Sequence, residues 1–176
     1  THSDDKVLGF WKITYADKIP YVRFNTNKDW LDEAGMVEPK TLDQYEAYFD
    51  WILANKPGVT PLFFNIGDND MVMNLTMGNF DMLFNWYLDK ADGITVKHWS
   101  TSAQFKDWLA LMNRWYSKGF FSHDFMSLTL SEAQAMFDAG KLACYADSVD
   151  ATYSRMSGAF TLTNLPYMRP TQDYVL

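Results

Sequence analysis

Short apolar runs of strand length alternate along this chain with amphipathic segments bounded by capping signals, and that alternation most restricts what it can fold into. Pro61-Leu-Phe-Phe-Asn-Ile66, Ile94–Trp99, Lys141-Leu-Ala-Cys-Tyr-Ala146 and 159–165 read as strands. Between them the spacing predicts helices. Asn27–Ala34 is a short one ending at Gly35, and Thr41–Gln44 forms a capping box ahead of Leu42, Tyr45, Tyr48, Phe49 and Ile52 at helical spacing. Residues 71–89 read as helical, with Phe80, Leu83, Phe84 and Tyr87 on one side. Thr101 and Gln104 read as a second capping box for a helix to Lys118, where Phe105, Trp108, Leu109, Met112, Trp115 and Tyr116 share a stripe and Gly119 ends it. Ser131 and Gln134 open a shorter helix that Gly140 closes, and a further helix is expected from about Ser148 to Met156.

Strands alternating with helices, with a β-helix-β unit at 141–165, predict an α/β layered domain whose sheet is at least partly parallel. No internal repeat or Pro/Gly/Ser-rich linker divides the 176 residues, so 1–176 is expected to be a single α/β domain. A chain of this length buries enough surface to need neither disulfide nor metal.

Charge and composition narrow the function. Twenty-two Asp and Glu against 15 Lys and Arg leave a net charge of −7, which repels a phosphate backbone or an anionic membrane surface, so no nucleic-acid partner is expected. No stretch approaches the ~20 apolar residues of a membrane span, and the N-terminus carries no signal-peptide pattern. The chain begins Thr-His-Ser without Met, so that pattern is silent about compartment. The single cysteine, Cys144, excludes an internal disulfide and a cysteine-based zinc site, and its apolar surroundings read as a buried, inert thiol. Seventeen Tyr and Trp residues are harder to hide than the 13 Phe, because each carries a polar tip that needs a partner. They either stack on a flat ligand or fill an aromatic core.

Catalytic templates are mostly missing. His2, His98 and His123 have no metal-ligand spacing, and no Gly-x-Ser-x-Gly elbow, phosphate-binding loop or dinucleotide fingerprint occurs. One acidic motif, Asp68-Asn69-Asp70, follows the apolar run ending at Ile66-Gly67. Two carboxylates so placed either hold a divalent cation and a sugar diphosphate, as in metal-dependent glycosyltransferases, or cap the following helix. In open α/β sheets ligands bind beyond the carboxyl ends of parallel strands. The loops expected there are Gly67–Asp70, Ala146–Asp150, in which Asp147 and Ser148 start a helix, and His98–Ser102; Trp99 and Tyr145 flank them, as stacking platforms or core residues.

Three segments carry a family resemblance. The first is Tyr21-Val-Arg-Phe-Asn-Thr-Asn-Lys-Asp-Trp-Leu-Asp-Glu-Ala-Gly-Met36 with Glu38-Pro-Lys-Thr-Leu-Asp-Gln-Tyr45. The second runs from Phe105-Lys-Asp-Trp-Leu through Leu111-Met-Asn-Arg-Trp-Tyr-Ser-Lys-Gly119 to Asp124-Phe125, and the third is Ala133-Gln-Ala-Met-Phe-Asp-Ala-Gly-Lys-Leu-Ala143. In this order they resemble the extracellular solute-binding proteins of ABC importers, the lipoprotein-type branch of the sugar-binding family. The resemblance implies a helix-sheet-helix lobe of the periplasmic-binding-protein-like type 2 fold, mostly the second of two lobes around a cleft.

It further implies a non-catalytic monomer that needs no cofactor, binds a mono- or oligosaccharide, docks on ABC permease subunits, and resides outside the cell as a surface lipoprotein or periplasmic protein. Ligand-facing positions implied are Trp11 and Tyr15 at the entry to the lobe, with Asp68, Asp70, Trp99, Tyr145, Asp147 and Ser148 in the loops above. Where many relatives carry a calcium-like loop this chain has Asn55-Lys-Pro-Gly-Val-Thr60, so no calcium site is expected there.

Overall fold

A computed structural model describes residues 2–3, 6–7, 22–64, 71–89, 91–148 and 160–163. Strands β1 (His2–Ser3) and β2 (Lys6–Val7) form a small antiparallel pair. The main sheet has four strands, β3 (Val22–Asn27), β4 (Thr60–Leu62), β7 (Leu142–Ser148) and β8 (Phe160–Thr163), in the order β4-β7-β3-β8. β4 runs parallel to β7, with Leu62 opposite Cys144, while β3 is antiparallel to both β7 and β8. β7 and β8 therefore share a direction with β3 between them, giving the partly parallel sheet that the strand-helix alternation predicts.

β7 runs further than its sequence suggests. Asp147 and Ser148, expected to start a helix, are its last two residues and pair with Arg23 and Val22. A ladder to a neighbouring strand outweighs their local preference for a helix cap. The rest of that expected helix, 149–156, lies outside the described residues, as do 65 and 66 at the end of the Pro61–Ile66 run.

Successive strand residues face opposite sides. Phe24, Leu62, Phe64, Cys144 and Ala146 join a large core built with α2 (Leu42–Asn55), α3 (Met71–Met77) and α4 (Gln104–Lys118). Phe63 and Tyr145 face the other way, onto Ala133, Met136 and Phe137 of α5 (Leu130–Asp138). The result is a helix-sheet-helix sandwich.

The larger core is strongly aromatic. Phe24 meets Tyr45 at 4.9 Å between ring centroids, and Phe49 takes the edge contacts of Trp115 at 5.5 Å and Phe120 at 5.4 Å. The polar tips find partners inside. Tyr48 Oη donates to the Asn27 carbonyl, Trp108 Nε1 to Thr76 Oγ1 at 2.9 Å, and Trp115 Nε1 to Glu46 Oε2 at 2.9 Å. Tyr48, Trp108 and Trp115 are thus core-filling with their polar tips bonded.

Caps agree with the sequence in part. Asn27 accepts the Trp30 N–H at the start of α1 (Lys28–Glu33), and Thr41 accepts that of Gln44. The Gln44 side chain reaches back one residue further than a capping box requires, accepting from the Lys40 N–H at 2.6 Å. Thr101 does not cap α4: it lies in a 3-10 turn, Trp99–Thr101, and its hydroxyl donates to the His98 carbonyl. α5 is opened by a reciprocal Thr129–Glu132 box instead of Ser131 and Gln134.

The helix expected over 71–89 stops early. α3 ends at Met77, a 3-10 turn covers Gly78–Phe80, and Asp81 and Asn85 take left-handed backbone with φ of 55° and 72°. β5 (Trp86–Leu88) then pairs antiparallel with β6 (Val96–His98). Phe80, Leu83 and Phe84 still pack on the large core, reaching it through these turns instead of along one helical face. Gly78 and Asn79 are poor helix formers, and the aromatic pair Trp86-Tyr87 is satisfied across a hairpin.

One electrostatic clasp holds α2 to α4. Glu46 accepts from Arg114 Nε, shared between both carboxylate oxygens, from Arg114 Nη2, from Lys118 and from the Trp115 indole, while Lys118 also reaches Asp50. Burial pushes the Glu46 carboxyl up, but the donors from Arg114, Lys118 and Trp115 outweigh it and hold the pKa at about 2 against an ordinary 4.5. The clasp therefore contributes stability above pH 4.5 that is lost as pH falls towards 2.

Arg114 and Lys118 stand partly in water, which screens the pairs, so Glu46→Gln should cost about 1–2 kcal/mol at neutral pH. Urea unfolding at pH 7 and pH 3 checks this: the difference between parent and variant should shrink at the lower pH. Gly119 closes α4 with φ of 78° and donates to the Trp115 and Tyr116 carbonyls. Gly119→Ala should therefore lower stability by about 1 kcal/mol, read as a melting point some 2–4 °C lower.

Candidate ligand-binding edge of the sheet

The topology gathers four chain crossings at one edge. β4 and β7 are parallel, so their carboxyl ends lie on the same side, and the register places Val22 at the start of β3 opposite Ser148 at the end of β7. Phe24 pairs with Ala146 on one side and with Thr163, the last residue of β8, on the other. The chain thus enters β3 and leaves β4, β7 and β8 at a single edge. An edge lined by loops and backbone ends, over a sheet packed on both faces, is where α/β folds present ligand-binding groups.

Of the residues singled out in the sequence, Asp147 and Ser148 belong to this edge, as the final residues of β7. Trp11, Tyr15, Asp68 and Asp70 lie outside the described residues, although residue 65 follows directly on the carboxyl-end extension of β4 through Phe63 and Phe64.

Trp99 and Tyr145 are not brought together. Tyr145 is 5% exposed, with its ring between Phe63 and Phe137 at 5.9 and 6.2 Å, under α5. Trp99 packs on the opposite core, edge-on to Phe105 at 4.7 Å and against Phe84 at 5.4 Å, and its backbone N–H donates to the Asn85 carbonyl. The segment His98–Ser102, expected beyond a parallel strand, instead follows β6 of the separate antiparallel hairpin. Pairing of Trp86 with His98 and of Leu88 with Val96 captures it there.

Cys144 is buried, with Sγ 3.9 Å from Thr26 Oγ1, and desolvation pushes its thiol well above the ordinary range. It is an inert core group, as its sequence context implies. Among the described residues no group of three or more His, Cys, Asp and Glu is arranged to hold a metal ion, and no helix is long and apolar enough to cross a membrane.

An open surface hollow of about 330 Å³ lies beside the hairpin, lined by Asp81, Tyr87, Asp89, Ala91, Lys97 and Gln104. The hairpin is two-faced: Trp86, 68% exposed, and Leu88 point outward, while the buried Tyr87 lines the hollow. Asp89 pairs with Lys97, accepts the Ala91 N–H on Oδ1, and closes the turn through backbone bonds to Thr95 and Gly93. The Lys97 ammonium and that N–H hold the Asp89 carboxyl below its usual range, and Asp89 in turn raises Lys97. Alternation of Tyr87, Asp89 and Lys97 with Leu88 and Val96 carries the signal in the sequence, hidden there by the helical reading of 71–89.

No protein-family model matches the chain, and no curated protein matches it. Solved structures do. The S. pneumoniae ABC-transporter substrate-binding protein FusA, in complex with kestose, superposes with a TM-score of 0.66 at 18% identity, covering 81% of this chain and 30% of that one. An HMO-binding, ABC-transporter-associated solute-binding protein from Bifidobacterium longum infantis gives 0.65 at 17% identity, covering 81% and 33%. A sugar transporter protein from Arthrobacter chlorophenolicus A6 with bound laminaribiose gives 0.61 at 13% identity, covering 81% and 35%. The chain therefore has the fold of ABC-importer solute-binding proteins, of the periplasmic-binding-protein-like kind, and spans about a third of their length.

Proposed function

We propose that this chain is a non-catalytic carbohydrate-binding lobe of an extracellular solute-binding protein that serves an ABC importer. The observation that carries the reading is the fold likeness to proteins solved with kestose and laminaribiose, together with a carboxyl edge at which the chain enters or leaves four strands. The solute lies against that edge and is enclosed when a second lobe closes over it, since closure of two lobes is what buries a ligand in such folds. Hydroxyl groups donate to carboxylates of Asp68, Asp70 and Asp147, Ser148 adds a hydroxyl partner, and Trp11 and Tyr15 offer apolar faces to the sugar ring. Tyr145, two residues before Asp147 on β7, supports the edge from the core under α5 in which its ring packs. The ligand-loaded lobes then dock on permease subunits, and the binding protein works outside the membrane as a surface lipoprotein or a periplasmic monomer.

The experiment is a thermal-unfolding scan of the chain against fructo-oligosaccharides, laminaribiose, chitin oligosaccharides, and manganese with nucleotide sugars. A carbohydrate at a hundredfold excess over its Kd adds about 2.7 kcal/mol, which raises the melting point of a domain this size by roughly 5–10 °C. Asp68→Ala and Asp70→Ala should remove most of that rise, whereas Tyr145→Ala should lower the melting point without ligand, by about 3 kcal/mol of lost core packing. A rise with manganese and nucleotide sugar alone, abolished by Asp70→Asn, would overturn the binding-protein reading in favour of a glycosyltransferase.

A further inference from the structure

Asp92-Gly93, in the turn between β5 and β6, is the one Asp-Gly step in the 176 residues, and no Asn-Gly step occurs. Such a step is where a chain most readily attacks itself, because the second residue has no Cβ to hinder its amide. We propose that this bond is a modification site controlled by the fold: the closed turn withholds it from isomerisation to isoaspartate, and opening of the turn releases it.

The chemistry needs no reactant other than water. The Gly93 backbone nitrogen attacks Asp92 Cγ and a new N–C bond forms, while the nitrogen's proton and the carboxyl's hydroxyl leave together as water. The cyclic imide then takes up water at either of its carbonyls. Addition at Cγ restores aspartate. Addition at the α-carbonyl breaks the original peptide bond of residue 92, so the main chain runs through Cγ and the α-carboxylate becomes the side group. The product has the same atoms as the starting chain.

Both reacting groups are engaged elsewhere in the closed turn. The Gly93 N–H donates to the Asp89 carbonyl at 2.8 Å, with Gly93 in left-handed backbone at φ 67°. Asp92 Oδ1 accepts the backbone N–H of Ile94 at 2.9 Å and that of Thr95 at 2.8 Å, while Oδ2 accepts the Thr95 hydroxyl. Loss of water proceeds from the protonated acid, and the Thr95 hydroxyl, followed by the two N–H groups, holds the Asp92 carboxyl well below its usual range.

The strands keep these bonds in place. Leu88 pairs with Val96, and the Asp89 N–H donates to the Thr95 carbonyl at 2.7 Å. Ala91 through Thr95 are exposed, so the turn is protected by its hydrogen bonds and not by burial. Isomerisation lengthens the main chain by one carbon and removes the side-chain acceptor that Ile94 and Thr95 share, so the turn does not close again in the same register.

The test is to quantify isoaspartate at residue 92, by proteolysis and electron-transfer fragmentation, in the whole chain incubated folded and in urea at one pH and temperature. A turn open for about 0.1–10% of the time slows the reaction about tenfold to a thousandfold relative to the unfolded chain. The expected result is therefore accumulation in urea and at least about tenfold less in the folded chain over the same period. Thr95→Val removes the hydroxyl donor and keeps the backbone N–H, so it should raise the folded rate and leave the rate in urea unchanged.

Equal rates in the folded chain and in urea overturn the proposal, as does the absence of isoaspartate at residue 92 in urea. An unchanged folded rate in Thr95→Val overturns it as well. A rise in that variant as far as the rate in urea, the result if the substitution opens the turn altogether, supports it.

Discussion

Thr26 and Cys144 face each other on adjacent strands although 118 residues separate them, and the β3–β7 pairing they belong to is the constraint on which the rest depends. Closing so long a loop is entropically unfavourable, and only burial on both faces of the resulting sheet offsets it. Everything from α1 to α5 lies inside that loop and supplies the covering layers. β4 then adds to β7 in parallel and β8 to β3 in antiparallel fashion, so one long-range pairing fixes the directions of all four strands. The gathered carboxyl edge follows from those directions without any further requirement on the sequence.

Aromatic side chains do the covering on the larger side, and their polar tips explain why it is a specific core. Trp108 needs Thr76, Tyr48 needs the Asn27 carbonyl, and Trp115 needs Glu46. Each bond ties a different pair of elements: α4 to α3, α2 to the end of β3, α4 to α2. A Phe-only core of equal area would bury as much surface but would tolerate sliding of one helix on another, because dispersion contacts have little directional preference. The Glu46 cluster adds two cations to the same point, placing an ionised carboxylate where α2 crosses α4.

What was legible in the sequence is what local chemistry decides. Thr41 caps its helix and Gly119 ends α4 as read, because a cap is complete within four residues. The readings that failed are those where a distant partner competes with a local preference. Asp147 and Ser148 have the composition of a helix start but are drawn into β7 by Arg23 and Val22. Phe80, Leu83, Phe84 and Tyr87 recur at helical spacing, yet left-handed turns at Asp81 and Asn85 route them to the core as the chain enters a hairpin. Thr101 and Thr129 show the same limit at smaller scale: two similar Thr-x-x-Gln/Glu patterns, of which only the second closes a box, because Thr101 is already engaged with the His98 carbonyl. Of the candidate site, Asp147 and Ser148 stand at the edge as the end of β7 and not as a helix start, and the alternation that marks the hairpin is hidden in the sequence by the helical spacing of 71–89, since only the β5–β6 register brings Asp89 and Lys97 together.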